Sequence, residues 1–418
     1  MSKMKLSEEL QWRGFVNQTT LKNITDLDKE PIKFYWGVDP SASSMTVGNL
    51  ATAMMVRHFI DYGHKAVLLI GGATGLIGDP DGKSEERKLK TEAEIDSFKV
   101  NIVKQYKILF AGDKFELVDN LDWFKGLNYI DFLRNVGKHM PMRQMMSREF
   151  VQTRLKEDGS GISYAEFSYA LIQGYDFLHL FKENSVTMQV CGSDQWGNCI
   201  AGVDLIRRVT GKEAHIWSAP LVLNKTTGLK FGKSEEGAIW LDEKLTTVYQ
   251  FYQFWLNLDD EGIEEYLKIY TLITKEELKK LLSKFNDDRS SRIAQKYLAF
   301  EVTKIVHGID RAKSVRRISE VLFDGREYSE LTSEDFNLLA NELGLYSSKR
   351  GVELAEILVT SKLASSKTEA RHFLEDNAVY INGSQIPLSK TTLDKDDIIN
   401  GYVILRRGKN SQVIVKLD

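Results

Sequence analysis

The chain has little cysteine: Cys191 and Cys199 are the only two in 418 residues. Their spacing is not that of metal ligands, and two thiols make no disulfide framework, so a reducing, cytoplasmic setting is expected. The seven histidines form no cluster with them, and no structural metal site is predicted. No run of about 18 apolar residues occurs, so no membrane span is expected. Residues 1–13 are polar and charged and lack the apolar stretch of a secretory leader. A net charge of −3 argues against a chain coated in nucleic acid and leaves RNA binding, if any, to local patches. Internal repeats and low-complexity tracts are missing as well.

The residues present are those of an ordinary folded protein. The hydrophobic share is 42% and the charged share 28%, over a length sufficient for two or three domains. The first half alternates strand and helix signals, which points to an α/β domain with a largely parallel sheet. Ile32–Asp39 reads as a strand, Thr46–Tyr62 as a helix, and Lys65–Ile70 (KAVLLI) as a buried strand. Gly71–Gly82 reads as a glycine-rich loop, Asn101–Phe110 and Tyr164–Glu183 as helices, Val186–Cys191 as a strand and Gln195–Val209 as a helix. From Leu245 to about Ser319 the signal is helical. Asp324–Arg350 reads as a connector holding a helix at Ser333–Leu343, and Val352–Asp418 as a small mixed domain. Domains are therefore expected at 1–225, with an insertion at about 120–160, then at 226–325 and 351–418, with 326–350 as a linker.

Two short segments carry phosphate chemistry. Asp39–Leu50 (DPSASSMTVGNL) joins a strand to a helix, where small residues let an anion approach a helix N-terminus. Read alone it is equally an ordinary strand–helix turn with good capping residues. Lys230-Phe231-Gly232-Lys233-Ser234 follows the turn-rich stretch Asn224–Gly228. Its two lysines can neutralise charge that develops on a departing pyrophosphate; taken alone, it reads as a charged surface loop.

In order, separation and context the pair resembles the two signatures of class I aminoacyl-tRNA synthetases. Thr46-Val47-Gly48-Asn49 stands for His-Ile-Gly-His, with both histidines replaced, and Lys230–Ser234 stands for Lys-Met-Ser-Lys-Ser. A third segment, Tyr169-Ala170-Leu171-Ile172-Gln173-Gly174-Tyr175-Asp176, places Tyr169, Gln173 and Asp176 on one helical face. That segment, with Phe34–Pro40, Gly71–Pro80 and Gly192–Asn198, resembles the bacterial-type tyrosyl-tRNA synthetase family over essentially the whole chain.

The resemblance implies a Rossmann-like nucleotide-binding catalytic domain with a parallel sheet, an α-helical domain contributing to anticodon recognition, and a small α+β RNA-binding domain of the ribosomal protein S-four type. It implies ATP-dependent activation of L-tyrosine, with Mg²⁺ accompanying ATP and no permanent cofactor, and transfer to tRNA(Tyr). Tyr35 and Asp176 would hold the phenol; Asp79, Tyr169 and Gln173 the ammonium group. Gly37, Asp39, Gly48, Gly192 and Asp194 would line the nucleotide, and Gln195 the bound tyrosine and its adenylate. Thr46 and Asn49 would donate hydrogen bonds to phosphate, and Lys83, Arg87, Lys230 and Lys233 would surround pyrophosphate, carrying extra charge in place of the missing histidines.

In the tail, Lys367 and Arg371 are one helical turn apart and could meet phosphates. Residues 351–418 nevertheless hold nine Lys and Arg against nine Asp and Glu, so any basic patch is local. Arg289 and Arg292, with Lys296, are expected as a second basic stripe. The family also implies a homodimer formed around Asn128–Arg154. There Met140, Met142, Met145 and Met146 suit an interface and a core equally well. Two alternatives are a tryptophanyl-tRNA synthetase, suggested by Thr46–Asn49, and a non-catalytic RNA-binding paralogue.

Overall fold

The structure is a computed structural model, and it describes residues 4–80, 85, 88–110, 112, 114–156, 159–234, 237–408 and 411–417. Lys83 and Arg87 lie outside the described residues, and for Lys233 and Ser234 the description is of the backbone. The chain divides into two compact units, Met1–Asp242 with Asp259–Ala294, and Glu243–Leu258 with Gln295–Asp418. The helices expected as one domain at 226–325 are thus shared between the two.

The first unit is built on a six-stranded sheet of β1 (Gln18–Thr19), β2 (Lys33–Val38), β3 (Lys65–Ile70), β4 (Phe115–Asp119), β5 (Met188–Gly192) and β6 (His215–Ala219), in the order β1-β6-β5-β2-β3-β4. Only β1 runs antiparallel, against β6. Every residue of β3 after Lys65 is buried, which explains its unbroken apolar run: a parallel strand is covered on both faces. From β2 the chain moves outward through β3 and β4, then returns to β5 on the other side of β2. That reversal opens a crevice beyond the carboxyl ends of β2 and β5, the natural ligand position in such a sheet.

Helix Val47–Asp61 buries Leu50, Met54, Met55, His58 and Phe59, the stripe its spacing predicts. Helix Tyr164–Glu183 starts where Ser163 Oγ accepts the Glu166 N–H at 3.3 Å. It buries Tyr169, Leu171, Asp176 and Phe177. The predicted glycine-rich loop differs: Gly72–Ile77 is a short helix, which the poor helix propensity of glycine concealed. Residues 101–109 are the second half of a longer helix, Glu92–Leu109, which Phe110 caps. In the insertion, Met140 and Met145 enter the core beside Tyr35, Leu171 and Phe177, whereas Met142 is 60% exposed. A buried ion pair, Arg154 Nη2 to Glu166 Oε2 at 2.6 Å, fastens the insertion to the long helix.

The second unit contains helices Val248–Leu256, Ile309–Phe323 and Ser333–Leu343, and most of Ile293–His307. It ends in a sheet of β7 (Leu345–Ser348), β8 (Val379–Ile381), β9 (Ser384–Gln385), β10 (Tyr402–Arg407) and β11 (Ser411–Leu417), in the order β9-β8-β10-β11-β7. Helices Leu354–Thr360 and Lys367–Glu375 contribute Leu354, Ile357, Leu358 and Ala370 to the core of this sheet. Residues 326–350, expected as a linker, are folded. Ser333–Leu343 is a helix held through buried Asp335 and Arg317 (Nε to Oδ2, 2.7 Å), and β7 pairs in parallel with the last strand. The signal was weak because β7 is four residues of mixed exposure.

Candidate active site

Fourteen of the residues singled out in the sequence line one cleft of about 1000 Å³ in the first unit: Tyr35, Gly37, Asp39, Thr46, Gly48, Asn49, Asp79, Tyr169, Gln173, Asp176, Gly192, Asp194, Gln195 and Lys230. The cleft sits at the strand-order reversal, with β2 supplying Tyr35 and Gly37 and β5 ending at Gly192.

Its deep end is a hydrogen-bonded chain of buried polar groups. Tyr169 donates its hydroxyl to Asp39 Oδ2 at 2.7 Å, and Thr74 Oγ1 donates to Asp39 Oδ1 at 2.6 Å. Asn120 Nδ2 lies 3.0 Å from both Thr74 Oγ1 and Asp176 Oδ2, while Trp123 Nε1 donates to Asp176 Oδ1 at 2.9 Å. Burial pushes the Asp176 carboxyl up to about 8, against the pull of the Asn120 and Trp123 donors. The same burial, followed by Cys199 and Asp176, holds the Tyr35 hydroxyl far above its ordinary value. Tyr35 Oη, Gln173 Oε1 and Gln189 Oε1 are buried with no hydrogen-bond partner among the described residues. Orphaned groups of this kind each cost about 1–3 kcal/mol unless a ligand satisfies them. Three of them beside Asp176, with Leu69 and Val190 also in the wall, suit a small ligand with an apolar body and a polar tip.

Toward the mouth, Gln195 Nε2 donates to Asp79 Oδ2 at 2.6 Å, and Lys230 Nζ lies 3.3 Å from Asp194 Oδ2. Thr46 caps helix Val47–Asp61. The Asn49 amide oxygen accepts the Thr46 N–H at 2.9 Å and the Thr46 hydroxyl at 3.0 Å. That fixes the flip of the amide and leaves its NH₂ as the donor offered to the cleft. The second signature packs directly on the first. Val47 N–H donates to Ile239 O at 3.0 Å, and Ile239 N–H to Gly232 O at 2.9 Å. Gly232 has φ +85°, and a Cβ there would sit 3.1 Å from Val47 Cβ and 3.3 Å from Gly48 N, so glycine is needed for conformation and for space. Both phosphate-type segments thus border the same cleft as the amphipathic pocket.

Residues 27–324 match the family model described as tRNA synthetases class I (W and Y). The chain belongs to that family. Residues 339–415 match a second model, the tyrosine–tRNA ligase SYY-like C-terminal domain. The tyrosine–tRNA ligase of Geobacillus stearothermophilus is 40% identical over 424 residues, covering 99% of this chain and all of the relative. Tyrosine–tRNA ligase 1 of Streptococcus thermophilus is 40% identical over 421 residues, with the same coverage. Among solved structures, a C-terminally truncated mitochondrial tyrosyl-tRNA synthetase of Aspergillus nidulans superposes with a TM-score of 0.69 at 29% identity, over 77% of this chain and 95% of that one.

Sequence reasoning missed four residues of this synthetase's cleft region: Thr74, Asn120, Trp123 and Gln189. Gln189 was visible in principle, as a polar side chain within the apolar strand MQVC. Asn120 directly follows β4, a strand that had gone unnoticed. None of the RNA-facing candidates is among the residues that line the cleft. Arg289 and Arg292 do not share a helix with Lys296: Arg289 opens a 3₁₀ turn, Arg289–Ser291, Arg292 caps it with φ +52°, and the helix begins at Ile293. Lys296 is paired with Asp324 at 2.7 Å. Lys367 and Arg371 do share a helix turn, and Lys367 Nζ is paired with Glu356 Oε2 at 2.9 Å.

Proposed function

We propose that the chain activates L-tyrosine with ATP and transfers it to tRNA(Tyr). The observation that carries this reading is the pairing of the partnerless Tyr35 hydroxyl with Asp176, which is held by Asn120 and Trp123, in the cleft that the two class I signatures border. The substrate phenol donates to Asp176 and accepts from Tyr35. Phenylalanine would leave both buried groups unpaired, and this cost supplies selectivity that an apolar pocket cannot. Asp79, Tyr169 and Gln173 receive the ammonium group, Asp39 supporting Tyr169 from behind.

The tyrosine carboxylate attacks the α-phosphorus of ATP, and pyrophosphate leaves. No protein nucleophile takes part; positioning and charge stabilisation do the work. The Asn49 NH₂ and the cations Lys230, Lys233, Lys83 and Arg87 are assigned to the phosphates, which arrive with Mg²⁺ as part of the substrate. Gly37, Gly48, Gly192, Asp194 and Gln195 flank the nucleotide. In the second step a hydroxyl of the terminal tRNA ribose attacks the tyrosyl carbonyl and AMP departs.

Residues 351–418, read as an S-four-type domain, take the tRNA through Lys367 and Arg371, with Arg289 and Arg292 as further contacts. A homodimer is supported by exposed Tyr129, Ile130, Met142, Leu155 and Tyr164 in and beside the insertion. The sparse cysteine usage supports a reducing, cytoplasmic setting for the enzyme.

Pyrophosphate exchange with each amino acid in turn tests the assignment. Exchange with tyrosine alone supports it, exchange with tryptophan replaces it with the tryptophanyl activity, and no exchange with any amino acid removes the catalytic reading.

A further inference from the structure

The hairpin that leads into the phosphate loop is clamped to a helix behind it. Leu223 and Lys230 form an antiparallel bridge, and Asn224 N–H donates to Leu229 O at 2.8 Å, closing the hairpin on itself. Beneath it runs helix Ile263–Tyr270. The Tyr266 hydroxyl donates to Leu223 O at 3.2 Å and accepts the Lys225 N–H at 3.0 Å, so one side chain holds the rising arm of the hairpin at two points. Lys225 Nζ meets Glu265 Oε2 at 2.6 Å, but both side chains are 40% exposed, which makes that pair a minor contributor.

The stronger hold is aromatic. Phe231, 3% exposed, packs its ring against Tyr266 (centroids 4.5 Å apart, planes at 32°) and against Tyr270 (5.5 Å, 29°). The helix is itself anchored: the Arg13 guanidinium, paired with Glu9 at 2.6 Å, donates to the carbonyls of Lys268, Thr271 and Ile273 at 2.7–2.8 Å. Phe231 is the last residue before the chain turns at Gly232 against Val47 and Gly48. The position of its ring therefore sets how Lys230 enters the cleft and where the backbone of Lys233 begins.

We propose that Tyr266, assisted by Tyr270, is a positioning residue for amino-acid activation and acts through Phe231 on the phosphate loop. This rests on the reading of Lys230–Ser234 as the phosphate-gripping loop. Tyr266 touches no reacting atom; its effect is confined to the step in which the lysines stabilise departing pyrophosphate.

The test is a double-mutant cycle on the full chain, read by single-turnover tyrosyl-adenylate formation and by equilibrium tyrosine binding. Tyr266→Leu is expected to slow activation about 10- to 100-fold with tyrosine affinity within about twofold of the parent. Tyr266→Phe, which keeps the ring contact, restores most of the rate. In a Lys233→Ala background the Tyr266→Leu penalty shrinks to threefold or less, because the group it positions is gone. A penalty that persists unchanged in that background, or a parallel loss of tyrosine affinity, overturns the proposal in favour of a structural role. If Tyr266→Leu does not fold, Phe231→Leu enters the same cycle with the same expectation. Lys233→Ala alone separates the two levels: full activity in that variant removes the loop reading and this proposal with it, whereas a slow Lys233→Ala beside an unaffected Tyr266→Leu removes this proposal only.

Discussion

Asn49 turns its amide oxygen back onto Thr46, 2.9 Å from the backbone nitrogen and 3.0 Å from Oγ1, and so offers only its NH₂ to the cleft. On the proposed reading the pair supplies with neutral groups the donor that a histidine would present, held by the cap of the helix that carries it. Removing one preorganised transition-state donor costs about 100-fold in rate. Asn49→Ala is therefore expected to slow adenylate formation by about that factor with tyrosine affinity unchanged. Asn49→Asp should be slower still, because its carboxylate repels phosphate. Rapid-quench measurement of the activation step checks the order; equal rates for the alanine and aspartate variants would contradict the donor role.

Asp176 gives the chain a pH signature. Its carboxyl is raised to about 8 by burial, against about 3.9 in an unfolded chain. The folded state thus binds more protons than the unfolded state between those values, and the stability linked to this group is complete below about 4 and lost as pH rises through about 8. Relative to Asp176→Asn, whose side chain does not titrate, the parent should lose on the order of 2 kcal/mol between pH 6 and 8. Parallel thermal unfolding of both proteins in ligand-free buffers across that range measures the gap. A gap that does not change with pH would show that Asp176 stays ionised.

Gly71 is a test of steric design at the ammonium end. Its φ of −77° is open to alanine, so any penalty is one of space. A Cβ would run into the Asp39 carboxylate and the Thr74 hydroxyl, which bond each other at 2.6 Å, and Asp39 in turn receives Tyr169. Gly71→Ala should weaken tyrosine binding at least tenfold while costing about 1–3 kcal/mol of stability, the usual range for overpacking. Equilibrium dialysis with labelled tyrosine decides it, and unchanged affinity would mean that the Asp39 chain relaxes without consequence.

Much of this site was legible because its chemistry is local in sequence. Thr46–Asn49 and Lys230–Ser234 are contiguous, and Tyr169, Gln173 and Asp176 follow the helical period, so pattern alone grouped them. Asn120 and Trp123 escaped because their role exists only once β4 lies beside β3 and brings them to Asp176, a relation that no spacing encodes. Helix Gly72–Ile77 escaped for a related reason. Gly71 at its cap and Gly72 in its first turn leave room for Asp39 and Asp119, and Gly75 for Pro40, a tertiary requirement that overrides local propensity. The parallel pairing of β7 with β11 likewise joins residues about 70 positions apart, and four residues cannot announce such a strand.

Lys367 and Arg371 should differ as tRNA contacts although they share a helix turn. Lys367 is already paired with Glu356 at 2.9 Å, and Arg371 has no ion pair among the described residues. Binding phosphate through Lys367 trades one partner for another, so the counterion release it adds is smaller than for an unpaired cation. Arg371→Ala is therefore expected to weaken tRNA binding and to reduce the slope of log K against log salt by nearly one, as for the loss of a full phosphate contact. Lys367→Ala should lower the slope by clearly less, and Glu356→Gln, which releases Lys367, should raise it. Filter-binding titrations at four or more salt concentrations give the slopes. Equal slopes for the parent and Arg371→Ala would take this helix out of the tRNA interface.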